Sequence, residues 1–261
     1  MPPLRTFFYL ATTAVVVMSL RAVLVAPTSI AWMGLALGGY VALVLGSVLV
    51  LRWRVFVDAV VRGPRGARGV ALTFDDGPHP TWTPRVLETL AKHRARATFF
   101  LVARKAEEHP EVVRAILDAG HGVALHSWAH DRLFALRRES WVREDLQRGI
   151  AALAKLTGKR PTSFRPPMGH TNPGIARAVG ALDLTVVGWS VSGHDGLASA
   201  RAPDVVARVR RALRDGAIVA LHDSPERGDR EPATVKALPA ILAAIAAERL
   251  DVVPLETWVG P

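Results

Sequence analysis

The first 51 residues contain no acid and only two bases, Arg5 and Arg21, in a chain that is densely charged elsewhere. That imbalance constrains the fold before any other feature does. Phe7 to Ala26 carries no charge except Arg21, and Ile30 to Leu51 carries none. A membrane-spanning helix needs about 20 consecutive apolar residues, and both runs reach that length. Gly34, Gly38, Gly39 and Gly46 in the second run are compatible with a spanning helix. Gly34 and Gly38 also have the small-xxx-small spacing that lets two helices approach closely. Arg21, near the end of the first run, is placed to snorkel to the headgroups. The competing reading of the first run is a cleaved secretory signal, but no small-x-small cleavage site lies near Pro27. Residues 1–51 are therefore expected to form a two-helix membrane anchor.

Residues 52–68 follow as a basic linker, with Arg52, Arg54, Arg62, Arg65 and Arg68 against the single acid Asp58. The expected loop between the two helices, Pro27 to Ser29, is uncharged. The positive-inside rule then places both ends of the hairpin, and the rest of the chain, on the cytoplasmic face of a multi-pass membrane protein. An extracytoplasmic placement requires that one of the two runs fails to span.

Of the 33 bases, 31 lie beyond residue 51 together with all 23 acids, so the remainder carries a net charge of +8. Such a charge suits anionic lipid headgroups or phosphorylated glycan carriers. No basic run interleaved with aromatics points to nucleic acid. There is no cysteine, which excludes disulfides, thiolate metal sites and a cysteine nucleophile.

After residue 69 the pattern alternates. Short apolar runs at Val70–Phe74, Ala97–Val102, Gly122–Leu125, Ser163–Arg165, Leu184–Trp189, Ala217–Leu221 and Leu250–Val253 read as strands. Helical spacing separates most of them, at Thr83–His93, Pro110–Ala119, Ser140–Leu156, Pro203–Leu213 and Ala233–Ala247. Strands alternating with helices predict an α/β fold with a parallel sheet, and about seven strands predict a distorted (β/α) barrel over residues 69–261.

The polar clusters fall at the C-terminal ends of these strands: Asp75-Asp76, His126 with His130, Arg165, Asp195 and His222. Active sites of barrels gather at that end. Adjacent residues on a strand point in opposite directions, so two neighbouring acids are not expected to share one task. A turn at Gly77-Pro78 is expected to end the strand there. His126 and His130, four apart, can meet on a helical face or across a short turn and chelate one metal. With one carboxylate they make a three-ligand set that leaves positions open for water and substrate. One acid then binds metal and the other takes a proton from the attacking water.

Five ordered motifs carry a resemblance: TFDDGP at 73–78, HSWAH at 126–130, RPPMG at 165–169, WSVSGHDG at 189–196 and VALHD at 219–223. From about Gly69 to Val259 the chain resembles the polysaccharide deacetylases with the NodB homology domain, carbohydrate esterase family 4. The resemblance implies that Asp75 is the general base, and that Asp76, His126 and His130 hold a divalent metal, usually Zn2+, with Co2+ or Ni2+ as substitutes. It implies that Arg165 pairs with Asp75 and orients it, that the Met168 backbone N–H helps hold the oxyanion, and that His222 protonates the departing amine. Asp195 is expected to hydrogen-bond His222 and raise its pKa. Pro166, Trp189, His194, Val219 and Leu221 are expected around the substrate pocket.

Three departures stand out. Met168 occupies a place that usually holds an aromatic residue, Ser192 and Gly196 replace the acid and the tryptophan of a D-x-x-D-W motif, and Val219 stands for leucine. The last two changes imply a more open acyl pocket. His79, His93, His109 and His121 read as surface or strand-end residues, His170 and His194 as loop residues beside the site, and Trp128 as packing or sugar-contacting. The expected activity is N-deacetylation of an N-acetylglucosamine-type sugar in a cell-envelope or lipid-linked glycan, with membrane lipids as further partners. The alternatives are a deformylase or deacylase of a lipid-linked amino sugar at the inner leaflet, an O-acetyl esterase, or a catalytically silent glycan-binding protein. The oligomeric state is not specified by the sequence.

Overall fold

The computed structural model describes residues 2–25 and 29–259. Of the loop expected at Pro27 to Ser29, only Ser29 falls within them. Helices α1 (Pro3–Leu24) and α2 (Ile30–Leu49) run antiparallel. Arg5, near the start of α1, donates to the Arg54 and Val55 carbonyls just past the end of α2 and pairs with Asp58 at 3.0 Å. Further along, the Thr12 and Tyr40 hydroxyls meet at 3.0 Å. No residue of α1 is buried, and Phe7, Leu10, Val23, Ile30, Trp32 and Leu35 each expose more than half of their surface. Apolar surface of this extent marks an interaction with a partner or a membrane, and both helices are long and apolar enough to cross one.

A tight turn at Leu51–Trp53 leads off α2. Val55, Val57 and Ala59 are buried, Val60 bridges Val187, and Arg62 bridges Ala217. The first half of the expected linker is thus part of the folded body. Small apolar residues at alternate positions bury one face, a period-2 signal hidden by the basic composition around it.

The sheet is made of β1 (Val70–Asp75), β2 (Thr98–Leu101), β3 (Gly122–Leu125), β4 (Ser163–Phe164), β5 (Thr185–Val186), β6 (Val191–Ser192) and β7 (Ala217–His222). All pairings are parallel, in the order β5-β4-β3-β2-β1-β7-β6. The sheet curls into a distorted half-barrel. Its two edge strands, β5 and β6, are separated by only four residues of chain, Val187 to Ser190. Helices α3 (Trp82–Lys92), α4 (Ala103–Glu108), α5 (Pro110–Asp118), α6 (Glu139–Thr157), α7 (Pro173–Ala181) and α8 (Ala202–Ala212) lie in the connections between strands, α9 (Ala233–Ala247) follows β7, and α10 (Glu256–Val259) closes the described chain. Central β1 is buried along its whole length, which is why it reads as a continuous apolar run. Phe74 and Phe99 stack at 5.0 Å across β1 and β2.

The described residues form seven strands, but not the seven expected. Leu250–Val253 makes only a single bridge, Val252 to Val70. It fills the short gap where β1 has no β2 partner, since that pairing begins at Thr73. The seventh strand is instead Val191–Ser192, paired with Val219 and Ala220. Helix α7 was missed although Asn172 caps it, accepting from the Ile175 N–H at 2.7 Å, with proline at its first position, a helix-start signature.

Candidate active site

Asp75 closes β1 in direct register with His222 at the end of β7. Neighbouring strands lie about 4.8 Å apart, so the pairing sets this acid beside the imidazole. The next residue, Asp76, has a left-handed backbone (φ 72°), a conformation aspartate tolerates better than most residues. The strand therefore ends at the second acid itself, one residue before the expected turn, and Asp76 is redirected toward His126 and His130. Gly77 follows because space demands it: a Cβ there would collide with the Asp223 carboxylate.

The HSWAH segment is a tight loop, not a helix. Ser127 (φ 64°) and His130 (φ 51°) are both left-handed, and the His130 N–H donates to Ser127 Oγ at 2.9 Å. Asp145, buried on the inner face of α6, accepts from the Trp128 and Ala129 N–H groups at 2.9 and 3.2 Å. A Cβ at Gly149, one turn on, would lie 2.7 Å from Leu125, so a glycine there lets α6 approach this loop. His126 Nδ1 donates to the Arg165 carbonyl at 2.7 Å, which leaves Nε2 with its lone pair free.

Asp76 Oδ1 lies 3.5 Å from His126 Nε2 and 3.1 Å from His130 Nε2. One ligand atom from each of the three lies within 4.8 Å of the others. Asp76 Oδ1 is buried without a hydrogen-bond partner. An orphaned carboxylate oxygen facing two imidazole lone pairs is a donor set that fits a divalent cation. Burial pushes the His130 imidazole down to about 4, so it is neutral at neutral pH, as a ligand must be. Burial opposes the charge of Asp76, but the histidines around it hold its carboxyl well below the usual range.

Arg165 is fully buried and makes four hydrogen bonds. They run to Asp75 Oδ1 at 2.6 Å, Thr73 Oγ1 at 2.9 Å, the Gly188 carbonyl at 3.0 Å and the Val187 carbonyl at 3.2 Å. Its guanidinium also stacks over Phe100, 4.0 Å from the ring centre. On the other side of the site, Asp195 accepts from the His222 N–H at 2.7 Å and lies 3.1 Å from His222 Nδ1. The Thr234 hydroxyl also donates to Asp195. Burial works against the charges of both partners. The Asp195 carboxylate outweighs it, with Asp76 and Asp75 behind, and His222 is pushed up to about 10. Asp195 itself is held below the usual carboxylate range.

Met168 sits in a left-handed turn (φ 58°) after Pro166, with its side chain half exposed. Trp189 packs on Gly169, where a Cβ would lie 2.5 Å from its ring. Val219 and Leu221 are fully buried in the core and present no surface of their own, whereas His194 is exposed. At Gly196 a Cβ would stand 3.1 to 3.3 Å from the His222 ring, so the absence of a side chain leaves that imidazole uncovered. His121 stands at a strand end, just before β3, where it is buried and its Nδ1 accepts from the Ala97 N–H at 3.2 Å. A cavity of about 510 Å3 opens at the opposite, N-terminal ends of β2 to β4, lined by residues such as Arg96, His121 and Glu256. It contains none of the five motifs, and strand-end chemistry outweighs its size.

Several site residues were not singled out from the sequence. Asp145 left a signal, an acid on the apolar face of α6 beside Val142 and Leu146. Thr73, Thr234 and Lys105 left none. Lys105 Nζ donates to the Asp76 carbonyl, Ser224 Oγ and the Pro225 carbonyl at 2.9 to 3.0 Å, tying the two acid-bearing loops together. Glu226, gripped by both Nε and Nη2 of Arg132, faces His130 Nδ1 at 3.8 Å. That nitrogen is buried without a hydrogen-bond partner. Carboxylates behind ligating histidines commonly contribute 10–100-fold in metal affinity. At 3.8 Å Glu226 acts on His130 by charge and not by a hydrogen bond, so Glu226→Ala is expected to weaken Zn2+ binding by about tenfold at most, read by competition with a chromophoric chelator.

A curled parallel sheet with an Asp-His-His cluster, a carboxylate on one flank and an imidazole on the other defines a barrel of the hydrolase type. The polysaccharide deacetylase model matches residues 62–187. The peptidoglycan-N-acetylglucosamine deacetylase PgdA of Listeria monocytogenes is 38% identical over 154 residues, 59% of this chain and 32% of that protein. The chain thus spans about a third of that relative's length. A chitooligosaccharide deacetylase of Bradyrhizobium sp. is 33% identical over 198 residues, 73% of this chain and 90% of that protein. A crystal structure of a peptidoglycan N-acetylglucosamine deacetylase in complex with 4-naphthalen-1-yl-N-oxidanyl-benzamide superposes with a TM-score of 0.70 at 30% identity. The match covers 76% of this chain and 91% of that one. The chain belongs to the polysaccharide deacetylase family.

Proposed function

We propose that the chain is a metal-dependent N-deacetylase acting on an N-acetylglucosamine-type sugar of a cell-envelope glycan. The observation that carries this reading is the convergence of three separate devices at the C-terminal ends of the strands. They are the Asp76-His126-His130 cluster, the Asp75-Arg165 pair and the Asp195-His222 pair. Asp76, His126 and His130 are the residues that would hold the cation. Bound there, it would acidify the attacking water and polarise the acyl oxygen.

The remaining steps belong to the chain's own groups. Asp75, anchored through Oδ1 by Arg165, accepts the proton of the attacking water on its carboxylate. The Met168 N–H stabilises the charge that develops on the acyl oxygen. His222 enters the cycle protonated, because Asp195 holds its Nδ1, and donates its proton to the departing amine. Amines leave poorly unless protonated, so a charged imidazole suits an amide substrate.

Purified, zinc-loaded protein should release acylate from N-acyl glucosamine oligomers and lose that activity on chelation. Activity that survives a chelator would overturn the metal-dependent reading. With Gly196 leaving the His222 ring uncovered, formyl or propionyl sugars should be cleaved at rates comparable to acetyl; strict acetyl selectivity would sink that expectation. The multi-pass anchor with a cytoplasmic catalytic face is part of the same proposal. The antiparallel pairing of α1 and α2 and the arginines beside them support it. A reporter fused at the C-terminus reads the side directly.

A further inference from the structure

The end of α2 is locked onto the barrel. The Thr171 N–H donates to the Val48 carbonyl at 2.9 Å. Ser47 and Leu51 are 1% and 6% exposed, and a Cβ at Gly188 would lie 2.9 Å from Leu51. Beside this junction is a cleft of about 330 Å3. Leu49, Val50 and Arg52 form one wall, and Gly169, Trp189 and His194 line the other. The second wall belongs to the site. Gly169 follows Met168, the Trp189 ring lies 5.6 Å from the Arg165 guanidinium, and His194 precedes Asp195.

We propose that this cleft receives a membrane-held substrate, an amino sugar joined through a phosphate to an apolar chain. This rests on the deacetylase reading and narrows its substrate class. The cleft begins at the last turn of α2, which places it at headgroup level when α2 spans the bilayer. Its second wall carries residues of two of the motifs, Gly169 of 165–169 and Trp189 and His194 of 189–196. Leu49 and Val50 offer apolar contact on the membrane side, the Arg52 guanidinium suits a phosphate, and the half-buried Trp189 ring offers a flat face to a sugar. The net charge of +8 beyond residue 51 favours an anionic carrier. The rigid junction points the same way. A site that works along a polymer gains reach from a flexible tether, whereas this one is held at a set distance from the anchor. A substrate confined to the same membrane meets it at a raised effective concentration.

The test uses full-length, zinc-loaded protein in phosphatidylcholine vesicles. The two probes are N-acetylglucosaminyl phosphate esterified to a prenyl alcohol and a soluble N-acetylglucosamine oligomer. The expected result is a kcat/KM at least about tenfold higher for the prenyl probe. Val50→Trp, which fills the cleft, and Arg52→Glu, which reverses its charge, should each cut that ratio severalfold. Equal kcat/KM for the two probes, or a preference that neither variant changes, overturns the proposal. Hydrolysis of neither probe overturns the deacetylase reading instead. The cleft is then judged by direct binding of the prenyl probe, and equal binding to wild type and both variants overturns it too.

Discussion

Replacing His222 by alanine is expected to lower kcat for amide hydrolysis by about 10²–10⁴-fold, the usual contribution of a positioned general acid. Zinc affinity should stay unchanged, because His222 is outside the Asp76-His126-His130 cluster. An ester substrate should lose far less, since an alkoxide leaves more readily than an amine. Equal losses on amide and ester would remove His222 from the acid role. A pH experiment on the metal-free protein tests the same group. The folded-state value of His222 is raised, to about 10, above its ordinary 6.5. Its stabilising contribution is therefore complete below about pH 6.5 and is lost as the pH rises through the folded value. Wild-type denaturation midpoints should fall between pH 7 and 10, and His222→Ala should flatten that slope.

The second large effect is expected at Arg165. Its guanidinium is fully buried against Asp75, itself 4% exposed. Removing one partner of such a pair leaves the other charge buried and unpaired, which costs about 3–5 kcal/mol. Arg165→Met should lower stability by about that amount and shift the urea midpoint without a change in slope. The double variant Asp75→Asn/Arg165→Met should recover part of the loss, because no charge is then left stranded, while remaining inactive for want of a base. A double variant as unstable as the sum of the singles would show that the pair is not coupled. The Thr73 hydroxyl and the Val187 and Gly188 carbonyls also accept from Arg165, so some destabilisation persists in the double variant.

Much of the site was legible along the chain because its chemistry is concentrated at strand ends. Asp75, Asp76, His126, His130, Arg165, Asp195 and His222 stand out as polar groups closing or following apolar runs. Short strands were harder. Thr185–Val186 falls inside the longer strand expected at Leu184–Trp189, but Val191–Ser192 was not expected, and strands of two residues each are too short for any period to show. The supporting residues were harder still. Lys105, Glu226, Thr73 and Thr234 are ordinary polar residues in sequence, and only their partners give them a role.

The sequence by itself determined the two apolar N-terminal runs, the alternating α/β pattern and the acids and histidines at the C-terminal strand ends, because hydrophobic periodicity and residue chemistry are local properties. Tertiary structure alone decided how the two adjacent acids divide. Register with β7 sets Asp75 beside His222, and the left-handed backbone of Asp76 turns it toward the two histidines. It also decided that the end of α2 is fastened to the barrel beside the site. The Asp75–His222 register and the docking of Val48 on Thr171 each join residues more than a hundred positions apart, and no local pattern in the chain encodes such pairings.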